Sequence, residues 1–144
     1  MSTIAEKQLA TAKALFDGYN EYTADAVLRV RAPECVHAIW PTSLNRPSKT
    51  NDEYREFFGP LQKLMKNYEV KIHKIINDAE NHMLALYATG RGESAAAPYQ
   101  GEYVFFLTFT EDGEKITLIE QFVDSAFAQS YLVKVREYNE KNAA

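Results

Sequence analysis

The chain has 144 residues, of which 46% are hydrophobic and 25% are charged, a composition typical of a folded globular protein. This length fits a single domain, which we place over residues 1–144. Twenty acidic and 16 basic residues give a net charge of −4, which argues against a role in nucleic-acid binding. No apolar stretch reaches the ~20 residues that span a bilayer, so no membrane association is expected.

Two features of the sequence bear on where the protein works. The first residues include Glu6 and contain no unbroken apolar run, so they do not have the pattern of a signal peptide. Cys35 is the single cysteine, which rules out an internal disulfide and is typical of a reducing compartment. We therefore expect a cytoplasmic protein.

The first half of the chain has mainly helical spacing. Thr3 with Glu6 has the spacing of a capping box and predicts a helix that ends near Tyr22. Thr23 is expected to cap a short second helix that ends near Arg29.

A break and a third helix follow. Pro33 interrupts the helical pattern, and residues 35–40 are typical of a short strand. Thr50 with Glu53 forms a second capping box, which begins an aromatic helix. Pro60 lies inside that helix, where it removes a backbone donor, so we expect a kink or a restart there.

The second half changes to the alternation of strands. Four long strands are predicted, followed by a helix that Asp124 or Ser125 caps; the strands cover residues 68–76, 83–89, 99–110 and 115–123. Short turns between long strands make neighbours antiparallel. The predicted fold class is therefore α+β, a curved, cone-shaped antiparallel sheet wrapped around the N-terminal helices with a pocket between them.

Three segments carry a resemblance to a known family. They are ECVHAIWPTSLNRP, the aromatic helix DEYREFFGPL and the closing strand ITLIEQFVDSAF. With the order of elements, they resemble the SnoaL-like group of the superfamily of nuclear transport factor two and ketosteroid isomerase, and in particular small fungal proteins of natural-product pathways. The resemblance implies an α+β barrel, a homodimer, and isomerase, cyclase or dehydratase chemistry without a cofactor. Because this fold hosts several activities, function has to be argued from the site.

The last predicted strand supplies two candidate catalytic carboxylates. Strict alternation from Ile116 places Glu120, Phe122 and Asp124 on one largely apolar face, which we expect to look into the cone. Burial there raises the pKa of a carboxyl group toward the range useful for general acid–base catalysis. One alternative is a Glu120 that pairs with an Arg, and another is the opposite register, which solvates Glu120 and brings Gln121 into the pocket. For Asp124 the alternative is a purely capping role.

Aromatic residues supply the remaining wall. Tyr99, Tyr103 and Phe105 share a face of the third long strand, and a buried phenol there is suited to donate a hydrogen bond to a developing enolate. Tyr54 and Phe58 lie on the aromatic helix and are expected to contact substrate. The alternative for all five is simple core packing.

His37 is the candidate acid–base residue of the short strand. Its ordinary pKa lies near neutrality, so it is suited to take and return a proton. His37, His73 and His82 show none of the spacings of metal-binding histidines, and with one cysteine no metal site is predicted. No glycine-rich phosphate-binding motif precedes a helix, so no cofactor is predicted.

Together with the resemblance, these features predict a cofactor-independent isomerase or cyclase. The resemblance implies a hydrophobic, enolisable polyketide, xanthone, meroterpenoid or alkaloid intermediate as the substrate. His37 or Glu120 would deprotonate it, and Tyr103 with Tyr99 or Asp124 would stabilise the enolate. The alternatives are a hydrolase or dehydratase on the same fold and a non-catalytic binding module. Ile75, Ile119 and Val123 are expected on the outer face of the sheet, where a homodimer would form.

Overall fold

The computed structural model describes residues 1–143. The elements, in chain order, are α1 Ile4–Glu21, α2 Ala24–Leu28, β1 Arg31–Trp40, a 3-10 turn Thr42–Leu44, β2 Lys49–Thr50, α3 Asn51–Leu64, β3 Met65–Asp78, β4 Met83–Ser94, β5 Tyr99–Phe109, β6 Ile116–Val123 and α4 Ser125–Asn142. No helix in this range is both long enough and apolar enough to cross a membrane.

The predicted helix starts are confirmed at the level of individual caps. The side chain of Thr3 accepts a hydrogen bond from the backbone N–H of Glu6, and Thr23 caps α2 in the same way. At α3 the Thr50 and Glu53 side chains each accept from the other's backbone N–H, which completes the capping box. Asp124 caps α4. These bonds satisfy donors that would otherwise have no partner within the helix.

Both prolines that were expected to interrupt structure are accommodated. Pro60 lies inside α3, which runs through it without a restart. Pro33 lies inside β1, which begins at Arg31 rather than at Cys35. The pairing of β1 with β6 shifts register between Arg31 and Val36, and such an irregularity tolerates a residue that has no N–H to donate.

Strand β4 extends beyond its predicted end at Thr89 to Ser94. Gly90 and Gly92 lie in the strand rather than in a flexible connection, because the sheet face they occupy is already filled. A Cβ atom at Gly90 would collide with the phenol of Tyr68, and one at Gly92 would collide with Met65. The glycines thus allow two large side chains of β3 to lie across β4.

The sheet is mixed and open, which corrects the expected antiparallel barrel. Its strand order is β2-β1-β6-β5-β4-β3, so among residues 1–143 the two edges do not pair with each other. The pairs from β3 to β6 are antiparallel, as predicted, but β1 runs parallel to β6. Parallel pairing is possible because β1 and β6 are far apart in sequence and no tight turn joins them. The α+β class is confirmed.

One face of the sheet packs against the helices. Phe16 of α1 meets Phe105 of β5 edge to face, with ring centroids 5.0 Å apart, and Leu15, Leu84 and Leu107 are fully buried around them. Burying side chains of this size contributes about 1.5–3 kcal/mol each. The core fills one end of the space between sheet and helices, and a cavity occupies the other.

Candidate active site

The cavity lies between the inner face of the sheet and the helices, and it has a volume of about 160 Å³. Its wall is mainly aromatic and apolar. The polar side chains that interrupt this wall are Tyr19, Tyr22, Arg46, Tyr54, Tyr68, Tyr99, Glu102, Tyr103, Gln121, Asp124 and Tyr131. An apolar pocket with a few converging polar groups is the usual form of a small-molecule site.

Most of the residues selected from the sequence do line this cavity. Tyr54, Phe58, Tyr99 and Phe105, which were expected to contact substrate, are part of its wall. So are two of the four predicted catalytic residues, Tyr103 and Asp124. Their positions agree with the predicted roles, whereas the roles themselves stay predictions.

Glu120 and Phe122 do not line the cavity, and the prediction that they face it is wrong. Phe122 is 42% exposed on the outer face of the sheet, and Glu120 pairs with Phe106 on that same face. The cause is a bulge at Thr117: Ile116 pairs with Phe109, but Leu118 already pairs with Thr108. An extra residue reverses the alternation of everything that follows it.

The reversed register brings other residues inward. Ile119 is fully buried in the core, and Gln121 and Val123 line the cavity. Ile119 and Val123 had been assigned to the outer face, so that assignment is also wrong. Gln121, the alternative that a one-residue slip brings inward, replaces Glu120 as the polar side chain that β6 presents to the cavity.

His37 lies behind the cavity wall rather than in it. The side chain is buried, stacked on the ring of Tyr54 with centroids 4.7 Å apart, and is not among the residues that line the cavity. Both ring nitrogens have partners, with Nδ1 3.1 Å from Nη1 of Arg31 and Nε2 2.8 Å from Oε1 of Gln121. Burial, together with the charge of Arg31, holds the pKa of His37 well below its ordinary value. These contacts argue against the predicted role as a base in contact with substrate.

Arg31 is a buried cation that the sequence analysis missed. The residue is 5% exposed, and none of the ion pairs formed by residues 1–143 includes it. Nε donates to the carbonyl of Val27 at 2.8 Å, and Nη2 donates to the hydroxyl of Tyr19 at 3.0 Å. The guanidinium also lies over the ring of Tyr54, 4.3 Å from its centroid. A buried charge without an opposite charge is costly, so its presence points to function.

Two hydrogen-bonded routes join Arg31 to the cavity. In the first, Tyr19 receives a hydrogen bond from Arg31 and shares a second, of 2.8 Å, with the hydroxyl of Tyr54. Only one hydroxyl hydrogen is needed between the two phenols, so the other remains for a ligand. In the second, His37 connects Arg31 to Gln121. Both routes end in side chains of the cavity wall.

Asp124 is a carboxylate with a free oxygen at the cavity. Oδ1 accepts the backbone N–H of Phe127 at 3.3 Å, which caps α4. Oδ2 has no hydrogen-bond partner among the described residues, and the residue is exposed to solvent. Glu102, the other carboxylate of the wall, already accepts the hydroxyl of Tyr87. Glu102 Oε1 is likewise without a partner among these residues, so each of the two carboxylates keeps one oxygen that is able to take a proton from a ligand.

A second group of phenols lies on the other side of the cavity. The hydroxyls of Tyr99 and Tyr103 are hydrogen-bonded to each other, and Tyr131 donates to Ser94 at 2.7 Å. Burial raises the pKa values of Tyr22, Tyr68 and Tyr99. These phenols therefore stay protonated at neutral pH and serve as hydrogen-bond donors.

The Tyr99–Tyr103 pair depends on Gly101 between the two residues. A Cβ atom there would lie 2.6 Å from the hydroxyl of Tyr99 and would also collide with that of Tyr103. Gly101→Ala is expected to lower the free energy of unfolding by about 1–3 kcal/mol, measured by urea denaturation, because both buried phenols must move. The control is Gly59→Ala in α3, where a Cβ meets no atom within 4 Å apart from its chain neighbours. The helix propensity that alanine gains over glycine is opposed there by the ring of Pro60, so this control should change the free energy of unfolding by less than about 1 kcal/mol. An equal effect of the two variants would contradict the prediction.

The buried His37 makes stability depend on pH. Since burial and Arg31 lower its pKa in the folded protein, only the unfolded chain binds a proton there below about pH 6.5. The free energy of unfolding should therefore fall between pH 6.5 and 5, by up to about 1.4 kcal/mol per pH unit from this residue. His37→Gln should remove this contribution, whereas the same change at the exposed His73 should not. Parallel stability curves for the wild type and His37→Gln would contradict the assignment.

Two other sites for chemistry are less favourable. Burial raises the pKa of Cys35 to about 11, so the thiol is a poor nucleophile at neutral pH. Within residues 1–143, no three His, Cys, Asp or Glu side chains lie close enough together to hold a metal ion. The cavity therefore remains the candidate site.

Comparison with known proteins gives relatives over nearly the whole chain. Monooxygenase nsrQ of Aspergillus novofumigatus is 30% identical over 138 residues, which cover 96% of this chain and 91% of the relative. Monooxygenase AacuO of Aspergillus aculeatus is 30% identical over 142 residues, which cover 99% and 89%. Both relatives are thus similar in length to this protein.

Solved structures and a family model also match most of the chain. BvnE pinacolase from Penicillium brevicompactum superposes with a TM-score of 0.90 at 26% identity, covering 95% of this chain and 96% of that one. PrhC from Penicillium brasilianum shares the fold at 21% identity, with a TM-score of 0.87 over 95% and 93% of the two chains. A model of the SnoaL-like domain matches residues 12–119. The resemblance drawn from the sequence is confirmed, and the chain belongs to the SnoaL-like domain family.

Proposed function

We propose that this protein is a natural-product tailoring enzyme that removes a proton beside a carbonyl group and stabilises the resulting enolate. The observation that carries this proposal is the buried Arg31, which has no carboxylate partner among the described residues and is connected to the cavity by Tyr19 and by His37. A preorganised positive charge and aligned donors favour an anion that forms during the reaction.

The wall of the cavity supports an aromatic, largely apolar substrate. Phe58, Phe105 and Val123 offer apolar contact, and the phenols offer donors to carbonyl or hydroxyl oxygens. Arg46 also lines the cavity, and its guanidinium lies 6.0 Å from the ring centroid of Phe57. An enolisable polyketide, xanthone, meroterpenoid or alkaloid intermediate fits these surfaces.

In the proposed reaction Asp124 acts as the base. Its free Oδ2 takes the proton from the carbon next to the carbonyl, while Gln121 and the Tyr19–Tyr54 pair donate hydrogen bonds to the enolate oxygen. Return of the proton to a different carbon completes an isomerisation, and attack of the enolate on another carbon of the same molecule completes a cyclisation. Tyr99 and Tyr103 are placed to donate to a second oxygen.

A second candidate function is oxygenation, which the names of the curated relatives favour. An enolate formed in the same way is electron-rich and is able to react with O₂. A CH₂ group then becomes C=O with release of water, so the substrate itself supplies all the electrons. This candidate shares the deprotonation step and differs in what happens to the enolate.

The test uses two enolisable aromatic ketones, 2-tetralone and anthrone, incubated with the protein in D₂O and followed by mass spectrometry. Protein-dependent deuterium uptake at the carbon beside the carbonyl of 2-tetralone, or at the CH₂ group that lies across the ring from the carbonyl of anthrone, supports the proposal. Parallel incubations with ¹⁸O₂ and with H₂¹⁸O then separate the alternatives, because oxygen from O₂ marks oxygenation and oxygen from water marks hydrolysis or hydration. Binding of both ketones without exchange or product would favour a binding module and contradict the proposal.

We also propose that the outer face of the sheet pairs with the same face of a second copy. Phe122 contacts Trp40 and Phe106 there, and Val104 and Ile76 are 38% and 65% exposed, which makes an apolar surface unusual for a monomer. Phe122→Glu should turn a sedimenting dimer into a monomer, since it places a second acid beside Glu120. Val133→Glu, at an exposed position of α4, is the control. A wild-type protein that sediments as a monomer would contradict this proposal.

A further inference from the structure

His37 is held on three sides by groups that determine its state. Nδ1 faces Nη1 of Arg31 at 3.1 Å, Nε2 faces Oε1 of Gln121 at 2.8 Å, and the ring stacks on Tyr54 at an angle of 16°. The side chain is almost completely enclosed, with 2% of its surface exposed. Its protonation state is therefore decided by these neighbours rather than by solvent.

The chemistry of Arg31 fixes the tautomer of the imidazole. A guanidinium only donates hydrogen bonds and does not lose its proton in proteins, so Nδ1 has to be the acceptor and carries no hydrogen. The one ring hydrogen is then on Nε2, which donates to Gln121. The oxygen of the Gln121 amide accepts this hydrogen bond, which leaves the NH₂ group of the amide to donate to a ligand.

We propose that His37 is a positioning residue that fixes the Gln121 amide with its NH₂ group toward the cavity, so that the site selects a ligand presenting a carbonyl or enolate oxygen there. Gln121 lines the cavity, and its Nε2 makes no hydrogen bond to another residue in the range 1–143. A ligand that presents only a donor, such as an ammonium group, finds at this position only the second lone pair of an oxygen that already accepts from His37. The inference rests on the proposed function, because it names the group that the same pocket recognises.

The charges around His37 keep this arrangement constant over the working pH range. Arg31 lies on the same strand, and Lys49, which pairs with His37 in register, is the cation of the neighbouring strand β2. From the helices, Tyr54 of α3 stacks on the ring and Tyr19 of α1 contacts Arg31. No carboxylate within the described residues pairs with the imidazole, so nothing compensates a second positive charge.

The first test is independent of any reaction. ¹⁵N NMR of the wild-type protein should show His37 with its hydrogen on Nε2, and the two nitrogen shifts should not change between pH 8 and 5. The exposed His73, which contacts the hydroxyl of Thr89, serves as the comparison residue. A hydrogen on Nδ1, or an imidazole of His37 that titrates near pH 6.5, would overturn the proposal.

The second test uses 4-nitrophenol, whose phenolate oxygen stands in for the enolate and whose ionisation is visible in the absorbance spectrum. The wild type should bind it as the phenolate, and Gln121→Met should weaken binding by about 10- to 100-fold, as expected for a lost hydrogen bond to a charged group. Gln129→Met, at an exposed position of α4, is the matched control. Equal affinity of the wild type and Gln121→Met, or no binding by the wild type, would overturn the proposed selection.

Two variants of His37 test whether this residue positions Gln121 or only packs in the core. His37→Phe keeps the stacked ring but loses both hydrogen bonds, and it should weaken 4-nitrophenol binding as much as Gln121→Met does. His37→Gln, which is able to accept from Arg31 and donate to Gln121, should restore part of the affinity; no restoration by His37→Gln would count against positioning. The proposed reaction and this inference are able to fail separately. If His37 has the expected tautomer and 4-nitrophenol binds as expected, but no deuterium exchange occurs, the proposed reaction is withdrawn and this inference stands.

Discussion

Asp124→Asn is expected to slow protein-dependent deuterium uptake by 2-tetralone about 10²- to 10⁴-fold, the usual contribution of one positioned acid–base group. Asparagine has the same shape as aspartate but does not take up a proton at neutral pH. It also caps a helix as well as aspartate does, so α4 should keep its start and the protein its fold. The loss would therefore report the missing base, measured as the exchange rate at saturating ketone.

The control for this prediction is Glu120→Gln on the outer face of the sheet. It makes the same chemical change four residues earlier in the chain, but at a side chain that does not line the cavity. Exchange should stay within a factor of about two of the wild-type rate, in line with the small effects of most surface substitutions. An Asp124→Asn variant that exchanges at the wild-type rate would exclude Asp124 as the base. Slow exchange by Glu120→Gln would instead support the register predicted from the sequence, in which Glu120 faces the cavity.

The contrast between Asp124 and Glu120 shows where the sequence was sufficient to predict which side chains face the cavity, and where it was not. Along β5, Tyr99, Tyr103 and Phe105 alternate without interruption, and the structure places all three on the inner face as predicted. Along β6 the alternation is broken by the bulge at Thr117. Since Ile116, Leu118 and Ile119 are all apolar, both registers bury an apolar set of similar size, and the pattern does not distinguish them.

Helices were predictable for a different reason. Each begins at a residue whose side chain accepts a backbone hydrogen bond three positions ahead, as Thr50 does for Glu53, and this signal is entirely local. The parallel pairing of β1 with β6 depends instead on contacts between residues some 80 positions apart, such as His37 and Ile119. Local patterns contain no information about such a pairing, so the fold class was correct while the sheet topology was not.

The candidate site was only partly predictable, because its contacts also join residues that are far apart in the sequence. His37 was expected near the cavity, but its enclosure by Tyr54, Arg31 and Gln121 follows from packing of three elements. Arg31 had one available signal, its place between two apolar residues, Val30 and Ala32. A charged residue there either has a partner or has a function.

Arg31→Met is expected to separate function from stability. Methionine fills a similar volume without a charge, so the protein loses hydrogen bonds to Val27, Tyr19 and His37 but no longer buries an unpaired cation. These two effects oppose each other, and replacement of buried charges by apolar residues is often neutral or stabilising. The free energy of unfolding should therefore change by less than about 2 kcal/mol in urea denaturation.

Activity should respond very differently, because the charge that costs stability is the one that favours the enolate. Deuterium uptake by 2-tetralone should fall by up to about 10²- to 10³-fold, the effect of removing a donor in direct contact with the oxyanion, since Arg31 acts through Tyr19 and His37. Arg29→Met, in which the lost cation is exposed and paired with Glu21, is the control and should exchange at the wild-type rate. A variant that loses more than about 3 kcal/mol of stability while its folded fraction exchanges normally would identify Arg31 as structural, since breaking a needed buried contact costs about that much. If instead the variant keeps its stability and loses exchange, Arg31 is a residue that lowers stability in favour of function. Its charge then lacks a partner in the resting protein because the anion that it stabilises forms only during the reaction.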